Sequence, residues 1–590
     1  MAHTRASCLT LVLIAACGGA SGADTSATAA TGSSGDPSTA STAIDDPTAG
    51  PSGDPTGDPT ADPSGDPTAD PSGDPTADPS GDPTSDSDSA TGDDPPPVIC
   101  DPPVQPAPVD PADHVIGDGS PASCDQASLA TAIAAGGTIV FDCGPDPVTI
   151  TLDASLKIIE DTVIDGGGKV TLSGGGQVRI LDMNTGNFEA TGPKLTVQHL
   201  RFIDGKASGT PIPLGTDVDG GGGAIFHLGG DVVAIGCTFE NNEAALLGPD
   251  VAGGAIYGIG VGSTTIVDST FKNNRAANGG AVGALHTALT IVNSTFKDNH
   301  ATGNGANYID EMGNQAGQGG NGGAIVMDGE DRTLTICGTT VAGSTAGAFG
   351  AALFRTGYHG EPTDIDRSTF ENNSIPDGME GAGGLYIQGT AVRLTNSTIA
   401  DNTTRGSAGV WILGHGGQAA TADLTNVTIT GNRTWPQPDF TMRGIGAGLT
   451  IGDNTTGTIL NCTIAGNEAQ FGAGILRVTP LTVRNTILSS IVENQYAPIN
   501  CTGSMFATPP GAGDHNLQWP NGLKDDMDCT PGITRVDPQL GPLADNGGPT
   551  RTMAPLPGSP ALAAGTDCPP TDQRGTPRAE PCTLGAFEAP

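Results

Sequence analysis

The stretch from Gly279 to Asn299 decides the fold, because both of its halves recur along the chain. It opens with Gly279-Gly280-Ala281-Val282 and continues, after six residues, as Leu289-Thr290-Ile291-Val292-Asn293-Ser294-Thr295-Phe296-Lys297-Asp298-Asn299. Leu289 and Ile291 alternate with other residues as in a half-buried strand, whereas Ser294 and Phe296 alternate with the opposite parity. Asn293 therefore marks a corner where the inward face is reset, since asparagine tolerates the left-handed backbone conformation that such a corner needs.

The opening phrase consists of three small residues and one aliphatic residue, and it recurs imperfectly between Gly222 and Ile475. Repeats of this length indicate a solenoid or a propeller. The copies are Gly222-Gly223-Ala224-Ile225, Gly253-Gly254-Ala255-Ile256, Gly279-Gly280-Ala281-Val282, Gly322-Gly323-Ala324-Ile325, Gly350-Ala351-Ala352-Leu353, Ala382-Gly383-Gly384-Leu385, Ser407-Ala408-Gly409-Val410, Gly446-Ala447-Gly448-Leu449 and Gly472-Ala473-Gly474-Ile475.

The second phrase contains a Phe or Ile that is followed, three residues later, by an asparagine. These asparagines are Asn242, Asn274, Asn299, Asn373, Asn402, Asn432 and Asn467. Each marks a second corner, and the glycine pair marks a third. Three short strands per turn, stacked on the equivalent strands of the next turn, make an all-β, right-handed parallel β-helix in which the asparagines form a hydrogen-bonded ladder. A β-propeller is the alternative, but it requires longer blades with aromatic signatures.

Three resemblances accompany these motifs. The paired phrases resemble those of the polymorphic outer membrane proteins, which are β-helical surface adhesins. Residues 120–205 resemble the opening of the pectate-lyase-like folds, with a capping helix from Asp125 to Ala135 that hides the open end of the solenoid. The segments Asn546-Gly547-Gly548-Pro549-Thr550 and Asp572-Gln573-Arg574-Gly575 are similar to the choice-of-anchor Q domain. This last resemblance implies family membership but transfers little chemistry.

The N-terminus predicts export and lipid attachment. One early cation, an apolar run from Leu9 to Ile14 and small residues up to Cys17 are typical of a secretory signal peptide. Ile14-Ala15-Ala16-Cys17 resembles a bacterial lipobox, which implies that Cys17 is acylated and that the mature protein is anchored to the outer membrane, exposed at the surface or extracellular. An ordinary cleaved signal with an incidental cysteine is the alternative.

The sequence predicts five segments, and the second of them is disordered. Repeated Asp-Pro pairs oppose helix and strand, and their negative charge keeps this tether extended; weak calcium binding by its Asp residues is an alternative. The segments are 1–17 (signal peptide), 18–99 (tether), 100–205 (N-terminal cap and first turns), 206–490 (β-helix repeats) and 491–590 (C-terminal cap).

Composition limits the partners of the protein. The chain has 90 Gly among 590 residues, aromatic residues make up only 4%, and Lys and Arg number 24 against 65 Asp and Glu, for a net charge of −41. Such a chain cannot fill several thick cores, and it lacks the clustered cations that nucleic-acid binding needs. We therefore expect no nucleic-acid partner, no metal and no cofactor.

Ten cysteines remain beyond Cys8 and Cys17, in a compartment that permits disulfides. The sequence favours the local pairs Cys124–Cys143, Cys501–Cys529 and Cys568–Cys582. Cys237, Cys337 and Cys462 occur in the repeats where small residues otherwise stand, so they are predicted to be buried thiols. Cys100 has no obvious partner.

The residue after each aliphatic of the opening phrase should point outward. Five of the nine are aromatic, and they predict an aromatic row along one flank that suits sugar rings or a protein partner: Phe226, Tyr257, Phe354, Tyr386 and Trp411. The alternative is that the insertions 209–221, 301–321 and 433–445 fold over this row and bury it. Asp217, Asp219, Asp310, Glu311, His227 and His286 lie near the same flank but form no catalytic motif.

These features favour a non-catalytic, lipid-anchored surface protein that binds a glycan or another cell-surface partner. A polysaccharide lyase or glycoside hydrolase that acts in the groove of the β-helix is the second hypothesis, and an envelope spacer without a ligand is the third. Catalytic residues cannot be named from the sequence, which contains no recognised catalytic phrase.

Overall fold

The computed structural model describes residues 99–207, 220–305, 318–379, 381–435, 444–469, 471–479, 481–490, 499–501, 512–521 and 526–590. The predictions for Cys17, for the signal peptide and for nearly all of the tether fall outside these residues. In the described part of the chain, no helix is long and apolar enough to cross a membrane.

The described residues form a right-handed parallel β-helix with three strands in each full coil. The first strand of each coil stacks on the first strands of the neighbouring coils, and together they form an eleven-stranded parallel sheet, here named sheet 1. In the repeats, its strands are Ile225–Leu228, Ile256–Ile259, Val282–Leu285, Ile325–Asp328, Leu353–Thr356, Leu385–Gln388, Val410–Leu413, Leu449–Ile451 and Ile475–Arg477.

The second and third strands stack in the same way and are named sheet 2 and sheet 3. Sheet 2 contains Asp231–Ile235, Ser263–Val267, Ala288–Val292, Leu334–Cys337, Pro362–Asp366, Ala391–Thr395, Ala420–Thr425, Thr455–Leu460 and Thr482–Arg484. Sheet 3 contains Thr238–Glu240, Thr270–Lys272, Thr295–Lys297, Thr340–Ala342, Thr369–Glu371, Thr398–Ala400, Thr428–Thr430, Thr463–Ala465 and Ile487–Ser489. Short strands follow sheet 3 at Arg275–Ala276, His300–Ala301, Thr345–Ala346, Thr403–Thr404 and Arg433–Thr434.

The N-terminal end is closed by the predicted helix, Gln126–Ala135, whose N-cap Asp125 accepts a hydrogen bond from the backbone N–H of Ser128. Leu129 and Ile133 of this helix are buried against the first coils. A short 3-10 helix, Pro121–Ser123, precedes it. The N-terminal strands are His114–Ile116, Gly137–Phe141, Val148–Thr151, Leu156–Lys157, Thr162–Ser173, Leu181–Asn184 and Lys194–Ile203.

The corners have the backbone conformations that the sequence predicts. Asn293 stands between sheets 2 and 3 with a φ of 48°, and Asn396 and Asn426 hold the equivalent left-handed positions in later coils. At the glycine corner, Gly253 has a φ of 67°, and a Cβ on Gly254 would lie 2.3 Å from the carbonyl oxygen of Gly280 in the next coil. Glycine is therefore required there by close backbone approach as well as by conformation.

The interior is a narrow apolar column with an aromatic stack at its start. Phe202, Phe239, Phe271 and Phe296 lie on successive sheet 3 strands, and their ring centroids are 4.6–4.9 Å apart. Val341 takes the next position in the register and Phe370 the one after it. One large side chain per coil therefore fills the space between the sheets, so a chain poor in aromatics still builds a continuous core.

The seven predicted asparagines line one edge between sheet 3 and the short strands. The Asn242 Nδ2 donates to Oδ1 of Asn274 at 3.0 Å, and Asn274 donates in the same way to Asn299. The series continues from Asn373 through Asn402 and Asn432 to Asn467. All seven asparagines are buried and each also donates to a backbone carbonyl, so the ladder stitches consecutive coils together.

The ladder has one break that the sequence analysis missed. In the coil of Thr340–Ala342, Ser344 occupies the asparagine position, and its backbone N–H still donates to Oδ1 of Asn373. The Ser344 hydroxyl has no hydrogen-bond partner in the described structure. The phrase escaped notice because Val341 replaces Phe and Ser344 replaces Asn in the same coil.

Four disulfides are present in the described residues. Three are the predicted local pairs, Cys124–Cys143, Cys501–Cys529 and Cys568–Cys582. The fourth, Cys100–Cys337, joins residues 237 positions apart, so the prediction of a free thiol at Cys337 was wrong. The error arose because the N-terminal segment runs back along the solenoid, which the local spacing of cysteines cannot reveal. Cys237 and Cys462 are buried thiols, as predicted, and burial raises the pKa of each to about 12.

The C-terminal residues continue the solenoid and then return along it. Leu517–Trp519 and Thr534–Arg535 extend the stack, and Leu540–Ala544 pairs antiparallel with Thr552–Pro555. The Gln573 side chain then accepts from the Thr428 hydroxyl and donates to that of Thr398, at 2.7 and 2.9 Å. The Gln573 motif thus docks the C-terminal segment on the corner between sheets 2 and 3.

Candidate functional site

The predicted aromatic row exists as a vertical row on the outer face of sheet 1. The strand register aligns Phe226 with Tyr257 in one pair of coils, and Phe354 with Tyr386 and then Trp411 in three others. Gly283 and Val326 occupy the two positions between Tyr257 and Phe354. The rings of Phe354 and Tyr386 are stacked at 5.3 Å, and Trp411 meets Tyr386 edge-on at 5.1 Å.

The row is buried, which contradicts the expectation that its rings are exposed. Exposure of Phe226, Tyr257, Phe354, Tyr386 and Trp411 ranges from 0% to 8%. Together with Ala252 and Val326 they form a second apolar cluster outside the solenoid core.

The aromatic row is covered by segments that precede the sheet 1 strands in each coil. Phe349 packs on Tyr386 with a ring separation of 4.8 Å, and Tyr257 donates from its hydroxyl to the carbonyl oxygen of Asp250. Gly221, at the end of one insertion, lies so close that a Cβ there would overlap the Tyr257 ring. The row is therefore covered, but Phe349 and Asp250 lie outside the three insertions, and of the covering residues named here only Gly221 belongs to one of them. Most of the three insertions lies outside the described residues.

A polar row runs beside the aromatic one, at the last position of three sheet 1 strands. Asp328, Thr356 and Gln388 are in register on successive coils. The Gln388 amide donates to the Thr356 hydroxyl at 2.9 Å, and the Tyr386 hydroxyl donates to Oε1 of Gln388 at 3.1 Å. These bonds fix the side chains of two coils relative to each other, so the outer face is rigid at this point.

Asp328 belongs to a cluster of titratable groups at the corner between sheets 1 and 2. The Tyr358 hydroxyl donates to Oδ1 of Asp328 at 2.9 Å, and the Tyr358 ring meets His415 edge-on at 5.2 Å. Burial raises the pKa of Asp328 and of Tyr358, and it lowers the pKa of His415. All three groups are therefore biased toward their neutral forms.

Arg355 places a cation inside the solenoid beneath this cluster. Its strand position is in register with Met327 and Ile387, both of which face the core, and the side chain is fully buried. The guanidinium donates to the carbonyl oxygens of Gly329 and Arg332, at 3.2 and 2.6 Å. Burial lowers the pKa of Arg355 to about 10, which leaves the side chain charged at neutral pH.

One group of described residues has donor atoms close enough to hold a metal ion. The ligand atoms of Asp331, His359 and Glu361 lie within 4.8 Å of one another, and Nδ1 of His359 is 3.2 Å from Oδ1 of Asp331. Carboxylate and imidazole donors suit a first-row divalent ion better than calcium. However, Asp331 and His359 are exposed, and the Glu361 carboxylate already accepts from the backbone N–H groups of Asp331, Tyr358 and His359.

The pKa values of this group follow from those contacts. The hydrogen bond that the His359 ring donates to the Asp331 carboxylate raises the pKa of His359. Burial acts to raise the pKa of Glu361, but the backbone N–H groups outweigh it and the pKa lies below its ordinary value. Glu361 is thus an anion that holds the corner together, and a metal is not needed to explain its position.

The remaining sequence candidates do not join this cluster. His227 is fully buried, with Nε2 2.8 Å from the Thr264 hydroxyl, and burial lowers its pKa to about 4. His286 lies edge-on to Phe188 at 5.5 Å. Asp217, Asp219, Asp310 and Glu311 fall outside the described residues.

Sequence reasoning missed Asp328, Tyr358, Arg355 and His415. The available signal was that each is a polar residue in or just after a sheet 1 strand. Because the four positions follow no common phrase, the repeat pattern gave no reason to group them.

Among the buried polar atoms that have no hydrogen-bond partner in the described structure, three lie close to Trp411 on the outer face of sheet 1. They are Nε1 of Trp411, Nδ1 of His415 and Oγ1 of Thr450. Trp411 and Thr450 are neighbours in the strand register. A buried polar group without a partner costs free energy, so these atoms are sites where an added hydrogen-bond partner would be stabilising.

Comparison with known families agrees with the fold. Residues 323–508 match the family described as the right handed beta helix region, and this stretch includes the whole polar cluster. No curated protein matches the sequence. The comparisons together with the coil geometry define the class: a right-handed parallel β-helix.

Proposed function

We propose that the protein is a non-catalytic β-helix, displayed at the cell surface through a lipid on Cys17, that binds a glycan or a cell-surface protein through the outer face of sheet 1. The observation that carries this proposal is the set of unpartnered atoms on Trp411, His415 and Thr450. These side chains are buried, so a ligand that displaced part of the cover and offered hydrogen bonds to them would remove a cost that the free protein bears.

A scaffold role is also favoured by how the acids of this face are used. Asp328 accepts from Tyr358, and Glu361 accepts from three backbone N–H groups. Both carboxylates therefore act as fixed acceptors within the corner.

Glycan-array and whole-cell binding of the mature chain, with Trp411→Phe, tests this proposal. The variant keeps the ring and removes the indole N–H, so we expect binding to fall about tenfold, the effect of losing one good hydrogen bond. Trp435→Phe is the matched control, because the Trp435 indole already donates to the carbonyl oxygen of Ile375 at 2.7 Å. Equal binding by both variants would exclude this face as the ligand site.

Surface display is tested separately. Replacing Cys17 by Ala should release the protein from membranes into the medium, and protease treatment of intact cells should remove the wild-type protein. A variant that stays in the membrane fraction would contradict lipid attachment at Cys17.

A polysaccharide lyase or glycoside hydrolase is the second candidate, and the cluster of Asp328, Tyr358 and His415 is the observation that favours it. A carboxyl whose pKa is raised by burial retains its proton at higher pH, as a general acid requires. Incubation with a panel of polysaccharides, with and without calcium, would reveal new unsaturated or reducing ends. If the protein cleaves a polysaccharide and Asp328→Asn abolishes that activity, the enzyme hypothesis replaces the scaffold proposal. If the protein neither binds nor cleaves any ligand, the remaining hypothesis is an envelope spacer.

A further inference from the structure

Residues 99–113 form a strap on the outside of the solenoid. The N-terminal end of this strap, at Ile99, lies far from the N-terminal cap. At one end, the Asp113 backbone N–H donates to the carbonyl oxygen of Thr138 in the strand Gly137–Phe141. At the other, the carbonyl oxygen of Ile99 accepts from Arg367 at 3.1 Å. The strap therefore runs antiparallel to the growth of the solenoid, along the corner between sheets 2 and 3.

Contacts hold the strap along its length. Gln198 pairs its side-chain amide with both backbone groups of Ala107, at 2.8 and 3.0 Å, and Val104 packs against Val233 and Val267. Asn293 accepts from the N–H of Cys100 and donates to its carbonyl oxygen, both at 2.8 Å. The Cys100–Cys337 disulfide completes the attachment, with the two Cα atoms 6.1 Å apart.

The disulfide lies well inside the solenoid. Sheet 2 advances by six strand pairings from Gly137–Phe141 to Leu334–Cys337, which corresponds to about 29 Å. A chain that enters at Ile99 is thus joined covalently to the middle of the molecule before it reaches the cap. Without the disulfide, the non-covalent hydrogen bonds of the strap would yield first if the strap were pulled from its N-terminal end.

We propose that the Cys100–Cys337 disulfide is a mechanical clamp, which passes tension on the N-terminal end directly to the coil of Cys337. Residues 101–336 then lie outside the path of the force, so the cap and the first coils are protected from unravelling. This role rests on the proposed attachment of the N-terminus to the cell surface, because only an anchored protein that holds a partner is pulled in this way.

Single-molecule force spectroscopy on the chain, with one handle before residue 99 and one at the C-terminus, tests the clamp. The fully stretched wild-type protein should be roughly 750 Å shorter than the double variant Cys100→Ser, Cys337→Ser, because the disulfide hides the loop between its cysteines, within which Cys124–Cys143 stays closed in both proteins. The variant should also show an additional unfolding event at low force, when the strap peels away.

The control is the double variant Cys124→Ser, Cys143→Ser. Its disulfide lies within the protected region, so its stretched length should equal that of the wild type. Wild-type protein stretched in the presence of a reductant provides a second route to the clamp-free state if the cysteine variants fold poorly. A gain in length on reduction of no more than about 200 Å, which is what the three shorter disulfides hide, or a peptide map lacking the Cys100–Cys337 link, would overturn the proposal. Neither result depends on Cys17, so the clamp and the surface anchoring fail independently.

Discussion

The asparagine ladder and the outer face of sheet 1 are built from the same stacked geometry but use their polar groups in opposite ways. Along the ladder, one residue type recurs, and every amide from Asn373 to Asn432 donates to the next coil. On the outer face, the residue type changes from coil to coil, and atoms of Trp411, His415 and Thr450 lack partners in the described structure. Repetition thus identifies what the fold needs, and its loss marks the outer face of sheet 1 as a region under different constraints.

Among the tests of this contrast, we expect the largest effect from Asn402→Ala in the middle of the ladder. The substitution removes the acceptor of the Asn373 backbone and side-chain N–H groups, and it removes the donors to Asn432 and to the carbonyl oxygen of Phe370. Because several buried groups lose their partners, we expect the free energy of unfolding to fall by about 4 kcal/mol in denaturant titrations.

The matched control is Asn372→Gly in the preceding coil. Asn372 is exposed and has a φ of 56°, which glycine adopts without strain, so the change should be below about 1 kcal/mol. Comparable losses from the two variants would mean that the ladder contributes no more than any other asparagine corner.

A second test concerns His227, a polar residue of sheet 1 that is sealed inside the fold. Burial lowers its pKa to about 4, so the folded protein binds this proton less readily than the unfolded chain, whose histidine titrates near 6.5. The stabilising contribution is therefore complete above pH 6.5 and is lost as pH falls toward 4, by about 3 kcal/mol in total. In His227→Gln, the unfolding free energy should decline less across this interval; an unchanged decline would assign it to other groups.

The break in the ladder at Ser344 gives a third test, in which the substitution should stabilise the protein. Asn in place of Ser344 would supply an acceptor for Asn299 and a donor toward Asn373, whose Oδ1 now receives the Ser344 backbone N–H. We expect Ser344→Asn to raise the unfolding free energy by about 1 to 2 kcal/mol. Ser374→Asn, one residue after the ladder, should give no such gain. A destabilised Ser344→Asn protein would show that this coil has no room for the amide.

The sequence was sufficient to predict the β-helix, the capping helix and the asparagine ladder, because each depends on letters that repeat at fixed places within a coil. Three disulfides were also predicted, since their partners are near in sequence. The Cys100–Cys337 link was not, because it joins a strap that crosses many coils, and no local pattern encodes such a path.

The candidate site was harder to predict for a related reason. The row from Phe226 to Trp411 was placed on the correct face, but its exposure was misjudged, because burial depends on Phe349, Asp250 and other residues from separate connecting segments. Asp328 and Tyr358 belong to consecutive coils, and they come together only because these coils stack on each other. Alternation along one strand specifies which face a side chain points to, whereas it carries no information about what covers that face.

The smallest expected effect comes from Asp328 on the outer face. Because burial raises its pKa, the folded protein holds this proton more tightly than the unfolded chain does. Ionisation at neutral pH therefore costs stability, and the cost disappears as pH falls below the ordinary value of 3.8, where both states are protonated. Asp328→Asn keeps an acceptor for the Tyr358 hydroxyl and removes the charge, so the melting temperature should rise by on the order of 1–2 °C at pH 7 and should not change at pH 3. Asp423→Asn, on an exposed position of sheet 2, should have no effect at either pH. If Asp328→Asn lowered the melting temperature at pH 7, the ionised carboxylate would be stabilising the corner. The polar groups of the outer face would then serve the fold, as those of the asparagine ladder do.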